Sequence, residues 1–83
     1  MSSEATETKV RAVVTRVAAS LAPDFSATAD LYRELGVKSV AALDLLLSLE
    51  EEFRISIPDD RFGDARSVAA LVALVEELTR GAA

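Results

Sequence analysis

At 83 residues with a formal charge of −5, the chain has room for one small domain, near the lower limit for a self-sufficient core. Cysteine and histidine are absent, which removes disulfides, thiol nucleophiles, thiolate metal sites and the commonest general base. Apolar residues make up 51% of the chain but only three Phe and one Tyr are aromatic, so the core must be Leu, Val and Ala, a mix that favours helices.

Met1 to Ser3 and Gly81 to Ala83 are expected to be loose, leaving an ordered core of about residues 4–80 in a single domain spanning 1–83. The N-terminus is polar and acidic and lacks the apolar segment of a signal peptide, and no apolar run reaches the roughly 20 residues of a membrane helix. A cytoplasmic, monomeric, soluble protein with no membrane role is the expectation. A first helix is predicted to start near Ser3 or Thr6, with Val10, Val13, Val14, Val17 and Leu21 as its buried stripe and Pro23 ending it at or before Ala22. The connection from Pro23 to Lys38 carries Phe25, Leu31, Tyr32 and Leu35 without clean periodicity. A link of this length is expected to be pinned by its own apolar residues, with Asp30 capping a short turn over 31–35 and Gly36 breaking it.

The second helix is predicted over about Ser39 to Phe53. Ala42, Leu43, Leu45, Leu46, Leu49 and Phe53 share one broad apolar arc, and Asp44, Ser48, Glu51 and Glu52 lie opposite. Val40, Asp44, Leu47 and Glu51 follow an i, i+4, i+7, i+11 spacing, a partly exposed stripe that alternates apolar and acidic groups. Ile55 and Ile57 belong to an extended link, Pro58 and Asp59 start a third helix of one or two turns weakened by Gly63, and Ser67 caps the last helix. In that helix Val68, Leu71, Val72, Val75 and Leu78 form the buried stripe. The fold class is all-α, a four-helix bundle of three longer helices and a short third one.

The charge is unevenly placed. Residues 1–38 hold five acids and five bases, whereas residues 39–83 hold nine acids and four bases, so the entire excess of five lies in the second half. An acidic face argues against nucleic acid, which is bound through Lys and Arg, and points to basic protein partners. Glu50, Glu51 and Glu52 stand at the negative pole of the second helix, where the dipole disfavours them by a few tenths of a kcal/mol each.

Ser39 follows the glycine turn Leu35-Gly36-Val37-Lys38. Its position suits two roles, a helix cap or a hydroxyl modified by another enzyme. No histidine is present to activate it as a nucleophile, so a hydrolytic role is disfavoured.

Read in order, Asp30-Leu31-Tyr32, Glu34-Leu35-Gly36, Ser39 followed by an apolar residue, Leu49-Glu50-Glu51-Glu52-Phe53 and Ile57-Pro58-Asp59 resemble the acyl carrier protein family. The resemblance covers Asp30 to about Val75. It implies a 4′-phosphopantetheine arm on Ser39, joined from coenzyme A by a phosphopantetheinyl transferase, whose thiol holds acyl or aminoacyl groups as thioesters. It implies no catalysis by the chain itself. Val40, Asp44, Leu47, Glu50 and Glu51 fall on the family's recognition positions, which dock basic patches of the transferase, loading enzyme and downstream synthases.

The chain departs from the pattern at three places. Lys38 stands where fatty-acid carriers most often have aspartate, and Ala41 where they commonly have an acid. The third helix has Phe62 in place of a small residue and Ala65 in place of a larger aliphatic one. By the resemblance these imply a specialised carrier, of polyketide-like or aminoacyl and peptidyl cargo, over primary fatty-acid biosynthesis. An unmodified helical interaction domain that keeps the same fold is the rival reading.

Overall fold

The computed structural model describes residues 3–22 and 24–81, and among them the regular structure is entirely helical. Helix α1 spans Ser3–Val17, α2 Ala42–Phe53, α3 Asp59–Asp64 and α4 Val68–Gly81, with a 3-10 turn at Ser39–Ala41 leading into α2. This is the predicted set of three longer helices and one short one.

The core is built as the composition requires. Val10, Val13 and Val14 of α1 meet Leu45 and Leu49 of α2 and Val68, Leu71, Val72 and Leu74 of α4, with Leu31, Val37, Ile57 and Phe62 closing it from the links and α3. Helix α4 packs against both α1 and α3, while α2 has α1 as its main neighbour. The three-to-four-residue spacing of Val10, Val13, Val14 and of Val68, Leu71, Val72, Val75 turns each set onto one face, and all are buried.

Helix α1 ends at Val17, five residues before the predicted limit at Ala22. Pro23, the expected stop signal, lies outside the described residues. The chain instead turns at residues 18–21, where the Leu21 N–H donates to the Ala18 carbonyl at 3.0 Å. A tertiary contact holds the returning link: Arg11 of α1 donates to the Phe25 carbonyl at 2.6 Å, and its guanidinium lies 4.7 Å from the Phe25 ring centroid. Half-buried Leu21 and Phe25 reach the core by this route, which a longer α1 would deny them.

The long link is pinned as expected, with Leu31 fully buried and Leu35 half-buried against the core. Burying one leucine contributes about 1.5–3 kcal/mol, comparable to the backbone entropy of only one or two ordered residues. The link therefore needs hydrogen bonds as well. Leu31 N–H donates to the Arg66 carbonyl at 2.7 Å and Ala69 N–H to the Ala27 carbonyl at 2.8 Å, which stitches the link to the α3–α4 connection.

Helix α2 terminates through Glu50. Its carbonyl accepts from the N–H groups of Arg54, in the left-handed conformation at φ 56°, and Ile55, and its carboxylate accepts from Ile57 N–H at 2.8 Å. Pro58 then caps α3, whose first turn carries Asp59 and Asp60 at the positive end of the helix. Arg61 of α3 pairs with Glu77 of α4 at 2.6 Å. Ser67 caps α4 as predicted, its hydroxyl accepting from Ala70 N–H at 3.1 Å. No described helix is long and apolar enough to cross a membrane.

Candidate functional site

The segment that carries Ser39 is ordered from its N-terminal side. Asp30 caps the turn after it: Oδ1 accepts from the N–H of Tyr32 at 2.9 Å and of Arg33 at 2.8 Å, and its carbonyl accepts from Glu34 at 2.9 Å and Leu35 at 3.0 Å. Glu34 returns the contact, its carboxylate accepting from Asp30 N–H at 3.3 Å, a reciprocal arrangement like a capping box. Gly36 at φ 77° then reverses the chain, so that Val37 N–H reaches the Leu31 carbonyl at 2.8 Å and the Val37 side chain is buried. Only Lys38 separates this anchor from Ser39.

Asp30 is also the most perturbed carboxylate of the region. The Arg66 guanidinium bonded to it and the two backbone N–H groups hold its pKa down, from 3.8 to about 2. Burial, the largest influence on Tyr32 beside it, raises that phenol above its ordinary value.

Ser39 opens the 3-10 turn, with Ala41 N–H donating to the Lys38 carbonyl at 2.9 Å and Ala42 N–H to the Ser39 carbonyl. Of the two roles open to Ser39, a side-chain cap is not the one its geometry takes. The cap position of the 3-10 turn belongs to Lys38 and that of α2 to Ala41, and neither makes a side-chain capping bond. Inside the turn, the Ser39 side chain is past the place from which it could reach back to the first N–H groups. The residue is exposed, and so is Lys38 beside it.

From Ser39 the outer face of α2 runs away along the helix. Val40 is 83% exposed, Leu43 63% and Leu47 52%, the three large apolar residues that stand out among the described ones. Asp44 and Glu51 flank them, both exposed, and a shallow groove lined by Asp44, Leu47, Ser48, Glu50 and Glu51 follows the same face. Val40, Asp44, Leu47 and Glu51 are thus brought together on one surface that begins at Ser39. Glu50 lines the groove but is half-buried, and its carboxylate is already bonded to Ile57 N–H.

Leu43 corrects the predicted arc. It was expected to be buried with Ala42 and Leu46 but lies on the open side, because α1 covers only the part of the arc centred on Leu45 and Leu49. An arc six apolar residues wide exceeds what a single main neighbour can cover. The width signalled that part of the arc would stay uncovered, and the fold decides that this part includes Leu43. Arg66, the partner of Asp30, left no comparable signal: the two are 36 positions apart and only the fold joins them.

Among the described residues no group of three His, Cys, Asp or Glu side chains is placed to hold a metal ion. An accessible serine, with a lysine at its side, stands at the start of a helical segment. The hydroxyl is presented to solvent, and the charge beside it is positive.

A family model described as "Phosphopantetheine attachment site" matches residues 8–75. An acyl carrier protein of Akkermansia muciniphila is 31% identical over 78 residues, which cover 94% of this chain and 98% of that protein. An acyl carrier protein of Trieres chinensis is 34% identical over 47 residues, 57% of this chain and 59% of that protein.

Proposed function

Because this chain belongs to the acyl carrier protein family, we propose that Ser39 is the residue that receives its 4′-phosphopantetheine arm and that the outer face of α2 is where its partner enzymes dock. The family makes the chain a carrier and not a catalyst, with the prosthetic group covalently attached. The observation that carries the assignment of Ser39 is its placement: an exposed hydroxyl inside the helical turn at the head of the exposed Val40, Leu43 and Leu47 face.

In the attachment reaction the Ser39 oxygen forms a bond to phosphorus, the pyrophosphate linkage of coenzyme A breaks, and the adenosine bisphosphate leaves. The hydroxyl proton goes to a base on the transferase, since this chain has no histidine to take it. Lys38 supplies positive charge next to the resulting phosphodiester. The arm, once attached, supplies a thiol that holds acyl or aminoacyl groups as thioesters, which a chain without cysteine does not provide itself.

Val40, Leu43 and Leu47 give a partner apolar contact, and Asp44 and Glu51 give it charge to recognise. Basic patches on the transferase, the loading enzyme and the downstream synthases are the complementary surfaces. The cargo belongs to a specialised pathway in this reading. Lys38 makes the approach to the serine positive, and Phe62 of α3 and Ala65 at its C-terminal end, both buried, replace the pairing expected of a fatty-acid carrier. The protein works in the cytoplasm as a monomer.

The test is intact mass after incubation with coenzyme A and a promiscuous transferase. Wild type is expected to gain one arm and Ser39→Ala none. No gain in wild type with several transferases would instead favour an unmodified interaction domain. The mass of protein isolated from its native host, cargo included, decides between acyl and aminoacyl loading.

A further inference from the structure

Asp30 and Arg66 form a junction that neither the docking face nor the serine explains. Arg66 Nε donates to Asp30 Oδ2 at 2.9 Å and Nη2 to Oδ1 at 3.4 Å, while its guanidinium lies 4.8 Å from the Tyr32 ring centroid. The Arg66 carbonyl accepts from Leu31 N–H at 2.7 Å. One residue of the α3–α4 connection is therefore held by side chain, ring face and backbone to three consecutive residues of the serine-bearing link. As a partly exposed ion pair the contact contributes little stability. Its consequence is geometric, because Asp30 simultaneously binds the N–H groups that define the turn, and Leu31 passes the anchor on to Val37.

We propose that Asp30 and Arg66, with Tyr32 as the stacking surface, are positioning residues for the modification of Ser39, locking the 30–37 turn to the α3–α4 connection so that the serine is held at the head of α2. The inference rests on the reading of Ser39 as the attachment residue. Neither Asp30 nor Arg66 belongs to the docking face, so they act through the turn. Phosphoryl transfer requires the attacking oxygen within about 3–3.5 Å of phosphorus and in line, a demand that docking on α2 alone does not meet if the serine wanders. Loosening the lock should therefore lower turnover and spare binding.

The experiment is steady-state arm transfer from coenzyme A to Arg66→Ala, Arg66→Lys, Asp30→Asn and Asp30→Ala, well below the Tm of each variant. Glu77→Gln, which breaks the separate Arg61–Glu77 pair, serves as the control. For Arg66→Ala, kcat is expected to fall about tenfold with KM within about twofold. Arg66→Lys should recover part of the loss, and Glu77→Gln should match wild type. Asp30→Asn keeps a capping oxygen and loses the charge, so it should fall less than Asp30→Ala.

Amide hydrogen exchange on the unmodified proteins reads the lock without any transferase. Arg66→Ala should lose protection at Leu31 and Val37 and keep it at Val14 and Leu71. An unchanged kcat, a change confined to KM, or unaltered protection at Val37 would each overturn the proposal. Wild type that accepts no arm refutes the reading of Ser39 instead, and the exchange data then decide separately whether the lock exists.

Discussion

Helices α2 and α4 are nearly equal in length and similar in composition, yet they end in opposite situations. In α4 the apolar residues Val68, Leu71, Val72, Leu74 and Val75 are all buried, across an arc wide enough to touch both α1 and α3. In α2 and the turn before it, only Leu45 and Leu49 are buried, while Val40, Leu43 and Leu47 stand open. What separates them is the number of neighbours, since a wide apolar arc is covered only when two elements flank it. The uncovered part of α2 begins at the proposed modification site, so the packing deficit coincides with the face proposed for docking.

The most severe way to break this contrast is to truncate one leucine from each helix. Leu71→Ala removes a fully buried side chain and should cost about 2–5 kcal/mol of stability. Leu47→Ala should change stability by less than about 0.5 kcal/mol while slowing arm transfer, an outcome checked by denaturant melts alongside transfer rates. Equal destabilisation would mean that the face is covered in solution.

Next in size is Gly36→Ala. A Cβ there meets nothing within 4 Å, so the cost is conformational, about 1–2 kcal/mol for placing alanine at φ 77°. The Tm should fall, and arm transfer should slow with it because the turn feeding Ser39 shifts. Retained rate at reduced Tm would detach the turn from the positioning of the serine.

The carboxylates sharpen the comparison at low pH. Asp30 is depressed from 3.8 to about 2 in the folded protein, so it contributes stability that is fully present above pH 3.8 and is lost as pH falls through about 2. Asp30→Asn should flatten the decline of Tm between those values, read by circular dichroism. Asp44 and Glu51, which form no ion pair among the described residues, are suited to a different test. Charge reversal at either should slow transfer a few-fold at low salt, converge on wild type as salt rises, and leave folding nearly unchanged.

Local signals were read reliably where the partner is near in sequence. Asp30 caps the turn two and three residues on, Gly36 takes the positive φ that stops it, and Ser67 caps α4, each settled within a turn or two of helix. The order of short motifs around Ser39 made the family legible, because those motifs are local too. The features that depart from local expectation share the opposite property. The end of α1 depends on Arg11 reaching Phe25, fourteen residues away, and the exposure of Leu43 depends on which side of α2 receives a neighbour.

By itself, then, the sequence determined the helices, their caps, the valine and leucine available for a core and the serine that follows the glycine turn. All of these follow from propensity and from contacts within a few residues. Tertiary structure alone decided which apolar residues of α2 are left exposed, since burial is a property of two surfaces and not of one. It alone joined Arg66 to Asp30 across 36 positions, for a charge finds its counter-charge in space, and no spacing along the chain records where that will be.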